Sequence, residues 1–378
     1  MINQLRGGGL FQRPFLRGLG AMLLLTGGAH WAVAQGVIDQ SASGGADLDG
    51  WFNLPTNTVI LISGVTIDNS VSGSAAVFGS SRAWGLTNAA TLNGNTTGVA
   101  LGAGGSVNNQ TGGRISGGSD GLDLLNGPMG VDNAGTISGG DIGLQVGHSG
   151  IVNNLAGGTI AGGGDGIFGF GGPQTIINAG TIIGTNNAGI LYAAGGSVDN
   201  QSGGFITGNS GVFLNGGVTA VTNHGVIMGT FIGVNLFSGG SVVNLTGGSI
   251  VGDQAGVSIN DSAALNNSGT IIGTNGDGAF MGNGGKVNNL RGGIIAGGNN
   301  GVDIEAVPGT DPGIVVNTAS IIGTNNAGVF IAGVGNVNNQ TGGTIMGGTY
   351  GGGAHWRCGQ PDQFRDHYRP VGHGSVFG

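Results

Sequence analysis

The fold is decided by a short stretch, Val107-Asn108-Asn109-Gln110-Thr111-Gly112-Gly113-Arg114-Ile115, which returns in similar form at Val287-Asn288-Asn289-Leu290-Arg291-Gly292-Gly293-Ile294-Ile295. An apolar residue precedes an asparagine pair, and a glycine pair precedes a marker isoleucine. Related stretches recur at spacings of 21 to 26 residues. The markers are Leu92, Ile115, Ile137, Ile160, Ile182, Ile206, Ile227, Ile250, Ile271, Ile295, Ile321 and Ile345. At least twelve units of about 23 residues therefore follow one another.

Each unit is too short for two helices and offers three brief alternating segments broken by Gly and Asn. One lies at the asparagine pair and one at the marker isoleucine. The third reads Gly-Φ-x-Φ, with Φ apolar, as in Gly211-Val212-Phe213-Leu214. Alternation over a few residues between turn residues is typical of short strands. Three strands per unit predict an all-β fold, a right-handed parallel β-helix of about twelve coils.

The units alternate in type, because Gly-Gly precedes x-Ile in every second unit whereas the others resemble Ala179-Gly180-Thr181-Ile182. Two units thus form a superunit of about 45 residues. The longest spacing contains residues 307–313, which we interpret as a loop insertion. Two interpretations of the asparagine pairs stay open. They form an inward ladder of side-chain amides from coil to coil, or they reflect simple turn propensity.

The composition excludes several classes of protein. Glycine accounts for 91 of the 378 residues, but only 8 prolines and no three-residue period are present, which excludes collagen. A hydrophobic fraction of 38% argues against disorder. Residues 35–350 carry four basic and sixteen acidic side chains, a net charge of −12 that disfavours nucleic-acid binding. The single cysteine, Cys358, allows no intrachain disulfide.

The N-terminal segment differs from the repeats. Three arginines precede a short apolar stretch and an Ala-Val-Ala box that ends at Ala34, directly before Gln35. This order predicts a secretory signal peptide over residues 1–34, cleaved between Ala34 and Gln35. We expect an irregular N-terminal cap, or first irregular coils, over residues 35–85. The repeats of the β-helix then occupy residues 86–350.

Residues 351–378 form a tail whose composition breaks from the repeats, since it contains Cys358 and three of the six histidines. Read one nucleotide later, codons for residues 361–369 permit Ile-Asn-Ser-Gly-Thr-Ile-Ile-Gly, which closely matches residues 177–184. We interpret the tail as an out-of-frame continuation of the repeats.

The leader, the V-N-N-x-x-G-G-x-I units and the intervening N-x-G-T-I-x-G units resemble the passenger regions of bacterial autotransporters. They are also similar to filamentous-haemagglutinin-like adhesins. The resemblance covers about residues 90–350. It implies export to the outer membrane and cell surface, or secretion, as a β-helical stalk that contacts a host or cell-surface ligand or associates with itself. It also implies a translocator barrel in the outer membrane, which we expect to be missing from this chain.

The sequence offers no motif that predicts catalysis, a cofactor or a metal site. The pattern G-x-G-x-x-G is expected by chance at this glycine content, and Lys286 lacks a phosphate-loop context. His148 and His224 are far apart in coil number, and Asp120 and Asp165 read as turn residues. We therefore expect a non-catalytic protein. The alternatives are a β-helical polysaccharide lyase or glycosidase, which needs clustered acidic or basic groups, and a self-assembling extracellular matrix protein.

One row of outward residues is a candidate binding surface. If both apolar residues of Gly-Φ-x-Φ face inward, the residue between them faces solvent. That position holds Phe168, Phe213, Phe280 and Phe330, with polar residues at the same position in other units. We predict a broken stripe of exposed phenylalanines for partner binding or self-association. The alternative is that adjacent turns cover the rings.

Overall fold

The computed structural model describes residues 36–51, 57–71, 74–261, 263–306, 309–348 and 355–357. The protein is an all-β parallel β-solenoid of about 13 turns with repeats of about 23 residues, so the fold predicted from the repeats is confirmed. The described residues include a single-turn helix, Leu48–Trp51, and none of their helices is long and apolar enough to cross a membrane. The chain divides into two compact units, Met1–Asn186 and Asn187–Gly378.

Each coil contributes up to three strands, which we assign to three rows. From Trp84 onward the row A strands end in an asparagine, the row B strands of the repeats carry the marker residue, and row C strands mostly follow the Gly-Φ-x-Φ pattern. Within a row each strand pairs in parallel with the strand of the next coil. Parallel neighbours of this kind lie about 4.8 Å apart, so the backbone hydrogen bonds run along the solenoid axis.

The described strands of the first unit fall into the three rows as follows. Row A comprises Gly36–Ile38, Thr58–Leu61, Trp84–Asn88, Gly105–Asn109, Met129–Asn133, Gly150–Asn154 and Gln174–Asn178. Row B comprises Ala42–Ser43, Thr66–Asn69, Thr91–Gly94, Arg114–Gly117, Thr136–Gly139, Thr159–Gly162 and Thr181–Gly184. Row C comprises Ala46–Asp47, Ala75–Gly79, Thr97–Leu101, Asp120–Leu124, Ile142–Val146 and Asp165–Gly169.

The second unit repeats this arrangement. Row A comprises Gly196–Asn200, Thr219–Asn223, Gly240–Asn244, Ala263–Asn267, Gly285–Asn289, Gly313–Asn317 and Gly335–Asn339. Two long strands, Phe205–Leu214 and Val226–Leu236, run through rows B and C without a break. The other row B strands are Ser249–Gly252, Thr270–Gly273, Ile294–Gly297, Ser320–Gly323 and Thr344–Gly347. The other row C strands are Ala188–Tyr192, Ala255–Ile259, Asp277–Met281, Val302–Ala306, Val329–Gly333 and His355–Arg357.

Apolar side chains stack on like side chains inside the coils. In the first unit Ile115, Ile137 and Ile160 pair in register along row B, and all three are fully buried. In row C of that unit Leu122 pairs with Leu144, and both are likewise fully buried. The stacking arises because each coil repeats the same alternation of inward and outward side chains, and register places the inward ones next to each other. Each such burial stabilises the fold by about 1.5–3 kcal/mol.

The last asparagine of the row A strands points into the core and forms a ladder. In the first unit Asn88 Nδ2 donates to Asn109 Oδ1 at 2.8 Å. In the second unit the same bond recurs at 2.8–2.9 Å from Asn200 to Asn339. The inward ladder is therefore confirmed for the second residue of the pair. The first residue faces outward, as where Asn153 Nδ2 donates to Asp132 Oδ1 at 2.7 Å.

The turn between rows A and B alternates in length, which gives the superunit its physical basis. The long turn runs from Asn109 to Ile115, whereas the short turn from Asn133 reaches Ile137 two residues earlier. Long turns need one residue in the left-handed region, where only glycine is unstrained. The glycines that supply it have φ of 84–88° and are Gly112, Gly157, Gly203, Gly247, Gly292 and Gly342.

The coils begin within the segment expected to be an irregular cap. Gly36 pairs with Val59 in row A, and Ala42 pairs with Ile67 in row B. The strands of the first coil are short, with two or three residues each, whereas those of the second coil have four or five, as in most later coils. The described strands of residues 35–85 therefore belong to early coils, of which only the first has short strands.

Asp49 of the short helix is hydrogen-bonded to the turn that precedes Trp84. The Asp49 carboxylate accepts hydrogen bonds from Ser80 N at 2.6 Å, Ser81 Oγ at 2.6 Å and Trp84 Nε1 at 3.0 Å. Partial burial acts to raise the pKa of Asp49, but the hydrogen bonds outweigh it and hold that pKa well below its usual range. The Arg82 guanidinium lies 5.2 Å from the centre of the Trp84 ring.

The predicted insertion lies between Val302–Ala306 in row C and Gly313–Asn317 in row A. Its described residues, 309–312, form no strand. The extra length therefore sits in a connection outside the paired rows, which is where a parallel stack tolerates it.

Two of the predictions made from the sequence concern the ends of the chain. The predicted signal peptide and its cleavage pair, Ala34 and Gln35, lie outside the described residues. Most of the tail, 351–378, also lies outside them. Its described strand, His355–Arg357, pairs in parallel with residues Phe330 to Ala332.

Candidate functional site

The four phenylalanines of the predicted stripe occupy the expected outward position of row C. Phe168 lies in the first unit, and Phe213, Phe280 and Phe330 lie in the second. Each is half-buried between two buried residues, and in the second unit both of these neighbours are apolar side chains of the core. Their role in binding a partner stays a prediction.

Register separates the phenylalanines of the second unit from one another. Asn235 and Ser258 stand between Phe213 and Phe280, and Asp303 stands between Phe280 and Phe330. Because neighbouring coils are about 4.8 Å apart, rings two coils apart do not stack directly. From Phe213 to Phe330, one or two polar side chains therefore separate each phenylalanine from the next on the outward side of row C.

Two of these rings gain a partner that the sequence pattern did not predict. Phe170 lies 5.7 Å from Phe168 between ring centroids, and Phe237 lies 6.5 Å from Phe213. Phe170 and Phe237 are more exposed than the rings they contact, at 46% and 53%. Each follows the end of a row C strand, where a turn directs its ring back over the strand. Both Phe170 and Phe237 directly follow the four-residue Gly-Φ-x-Φ segment of their coil or its equivalent. That shared position in the repeat was the sequence signal that could have indicated them.

Asp303 occupies a polar step on this surface. Phe280 precedes it and Phe330 follows it in the neighbouring coils. Asn300 Nδ2 donates to Asp303 Oδ2 at 3.0 Å. The other carboxylate oxygen, Oδ1, is buried and has no hydrogen-bond partner within the described chain. A carboxylate oxygen without a donor favours the protonated form of the group.

Electrostatics agree with that geometry. Burial, together with the nearby charges of Asp277 and Glu305, raises the pKa of Asp303 to about 7. In the first unit, burial raises the pKa of Asp123 to about 6, with a contribution from the charge of Asp120. Both shifted groups lie at the outward position of row C.

The chemistry available to these outward faces is limited. Among the described residues no group of three or more His, Cys, Asp or Glu side chains is placed to hold a metal ion. In the second unit Lys286 belongs to row A, whereas Asp277 and Asp303 belong to row C. Arg291 lies in the turn between rows A and B. The basic side chains and the shifted carboxyl group thus lie on different rows.

The fold defines a class of protein, the parallel β-solenoids with an internal asparagine ladder. Comparison with protein-family models, with curated proteins and with solved structures found no match for this chain.

Proposed function

We propose that this protein is an exported, non-catalytic stalk, an adhesin-like passenger of the autotransporter type that is displayed at the outer membrane and cell surface or secreted. Its task is to hold outward-facing rows of side chains at fixed spacing on a scaffold of stacked coils. The observation that carries the proposal is the asparagine ladder, because it repeats the same buried polar contact from coil to coil and fixes the register of the stack.

The locality of the contacts supports this role. Ladder partners lie only 21 to 28 residues apart in sequence. A coil can therefore form as soon as its predecessor is present, without waiting for a distant segment. Such a chain suits export in an extended form, since each coil that forms outside adds to a template and opposes return.

Export is tested by expressing the full chain in a Gram-negative bacterium. We expect the exported product to begin at Gln35 on N-terminal sequencing. Replacement of Ala34 by Asp should block cleavage, whereas Gln35→Asn should not, because the processing enzyme requires a small residue before the cleaved bond. A product that keeps residues 1–34 and stays in the cytoplasm would overturn the proposal.

Display is tested with an epitope inserted after Gly217. The turn there is exposed, with Val218 at 88%. The chain is fused to a translocator barrel, and antibody binding to intact cells is measured. We expect the epitope to be accessible and to be removed by external protease. An epitope detected only after cell lysis would contradict display of this scaffold.

The aromatic surface is a proposed contact for a host or cell-surface partner, or for a second copy. Replacement of Phe168, Phe213, Phe280 and Phe330 by Ser should reduce adhesion of displaying cells or self-association of the purified protein, because exposed aromatic area supplies binding energy. Unchanged adhesion and self-association would remove these four rings from the proposal. Fibres whose growth depends on protein concentration would favour the self-assembling alternative.

A further inference from the structure

A shallow depression of about 400 Å³ lies on the outer side of row A in the first unit. Row A strands of five residues place their second residue outward, and register stacks these positions coil upon coil. In the first unit the column reads Thr58, Gly85, Ser106, Gly130 and Ile151. The two glycines lower the surface on both sides of Ser106, and this forms the depression.

Neither glycine is required by the backbone. A Cβ on Gly85 would come no closer than 3.5 Å to any atom outside its chain neighbours, and a Cβ on Gly130 no closer than 3.9 Å. These are ordinary contacts. By contrast, Gly105 has φ of 132° and a Cβ there would clash with the carbonyl oxygen of Trp84. Glycine within a strand costs about 0.5–1 kcal/mol relative to alanine, so Gly85 and Gly130 lower stability without a packing reason.

The second unit supplies an internal comparison. At the same outward position of its row A strands, every described coil carries a side chain. The residues are Ser197, Ala220, Ser241, Ala264, Lys286, Ile314 and Asn336. The fold therefore accepts side chains at this position, and the hollow is a local property of the first unit.

The chemistry of the lining limits what the depression accepts. Asn108 and Asp132 are exposed at its side, and Asn153 Nδ2 donates to Asp132 Oδ1 at 2.7 Å. Ile151, 49% exposed, forms an apolar border. The described residues that line the depression include no Lys, Arg or His, so an anionic ligand would meet no cationic partner. Amide, hydroxyl and carboxylate groups beside an apolar border suit a neutral ligand rich in hydroxyl groups.

A peptide strand is a poorer fit. Main-chain pairing gives an added strand its affinity, and it requires a free sheet edge. Here Gly85 and Gly130 lie within strands whose neighbours on both sides already pair with them. We therefore propose that this depression binds a neutral saccharide, with one ring lying over the flat backbone at Gly130 and its hydroxyl groups bonded to Asn108 and Asp132. The inference does not depend on the proposed export.

The test measures binding of the purified full chain to cellohexaose, maltohexaose, mannohexaose and chitohexaose by calorimetry, with polygalacturonate as the anionic comparison. We expect at least one neutral oligosaccharide to bind with a Kd in the millimolar range or tighter. The double variant Gly85→Thr/Gly130→Thr should weaken that binding by about tenfold or more, because the threonines fill the hollow. It should unfold at an equal or higher temperature, because threonine suits a strand better than glycine.

The matched control is Ala220→Thr/Ala264→Thr, which adds the same side chains at the same outward position of the second unit. It should leave binding unchanged. Three outcomes would overturn the proposal: none of the four neutral probes binds, only polygalacturonate binds, or the Gly85/Gly130 variant binds as tightly as the original chain. None of these outcomes bears on signal cleavage or surface display, so failure here is distinguishable from failure of the proposed function.

Discussion

At the scale of single residues, the ladder asparagines explain why an amide is required in the core. Asn267 Oδ1 accepts from Asn244 Nδ2 at 2.9 Å, and Asn267 Nδ2 donates to Asn289 Oδ1 at 2.9 Å. The same Nδ2 donates to the carbonyl oxygen of Ile294 at 3.1 Å. Only a side chain that both donates and accepts can continue the ladder. The asparagine of the preceding coil supplies a donor, and the asparagine of the following coil supplies an acceptor oxygen.

Replacement of Asn267 by Asp should lower the free energy of unfolding by about 3 kcal/mol or more, since it removes the donor and buries a charge facing oxygens. The control is the adjacent Asn266→Asp. Asn266 Oδ1 accepts from Asn288 Nδ2 at 2.7 Å, and a carboxylate keeps that role at the surface. We expect the control to stay within about 0.5 kcal/mol. Equal urea midpoints for the two variants would contradict the ladder.

A second residue-scale prediction concerns pH. The folded pKa of Asp303 is raised to about 7, above the ordinary carboxyl value of 3.8, so the folded state holds this proton more tightly. Ionisation therefore lowers stability as pH rises from about 4 through 7. Asp303→Asn should raise the free energy of unfolding at pH 8 by on the order of 1–3 kcal/mol and leave it unchanged near pH 4. A gain of equal size at both pH values would show that charge is not the cause.

At the scale of the strand, glycines with opposite roles stand in similar places. Gly240 begins a row A strand with φ of 130°, and a Cβ there would clash with the carbonyl oxygen of Thr219. Gly240→Ala should therefore cost about 2 kcal/mol or more. Gly130→Ala should be neutral or stabilising by up to about 1 kcal/mol, because its φ is ordinary and the space is open. Thermal unfolding of the two variants decides this, and equal losses would contradict the distinction.

The strand scale also shows how far the sequence could predict the structure. The burial of the marker isoleucines was predictable, because period-two alternation between turn residues fixes which side chains point inward. The ladder was one of two interpretations that the asparagine pairs left open, and the structure decides for it at the second asparagine. Phe170 and Phe237 were not predictable, because they lie in turns, where alternation does not fix side-chain direction. The role of Gly130 was hidden among 91 glycines, since only φ and the surrounding space distinguish a required glycine from an optional one.

At the scale of the molecule, stability is a sum over coils and the contacts between neighbouring coils. Row pairing in each unit joins only the strands of successive coils. Whole coils should therefore be removable, whereas a fraction of a coil should not. When whole coils are removed, one ladder asparagine is joined to the residue that normally follows a later ladder asparagine, so inward and outward positions keep their order. A partial deletion instead turns inward residues outward and places charged or polar groups in the core.

Two deletion variants of the full chain test whether coils of about 23 residues are stacked and held in register by the ladder. Their thermal unfolding is followed by circular dichroism. One lacks residues 201–244, which joins Asn200 to Leu245 and removes two complete coils. The other lacks residues 201–233, which joins Asn200 to Val234 and breaks the register. We expect a β-rich spectrum and a cooperative transition for the first variant, with loss of both, or a much lower midpoint, for the second. Equal folding of the two variants, or failure of the first alone, would contradict this expectation.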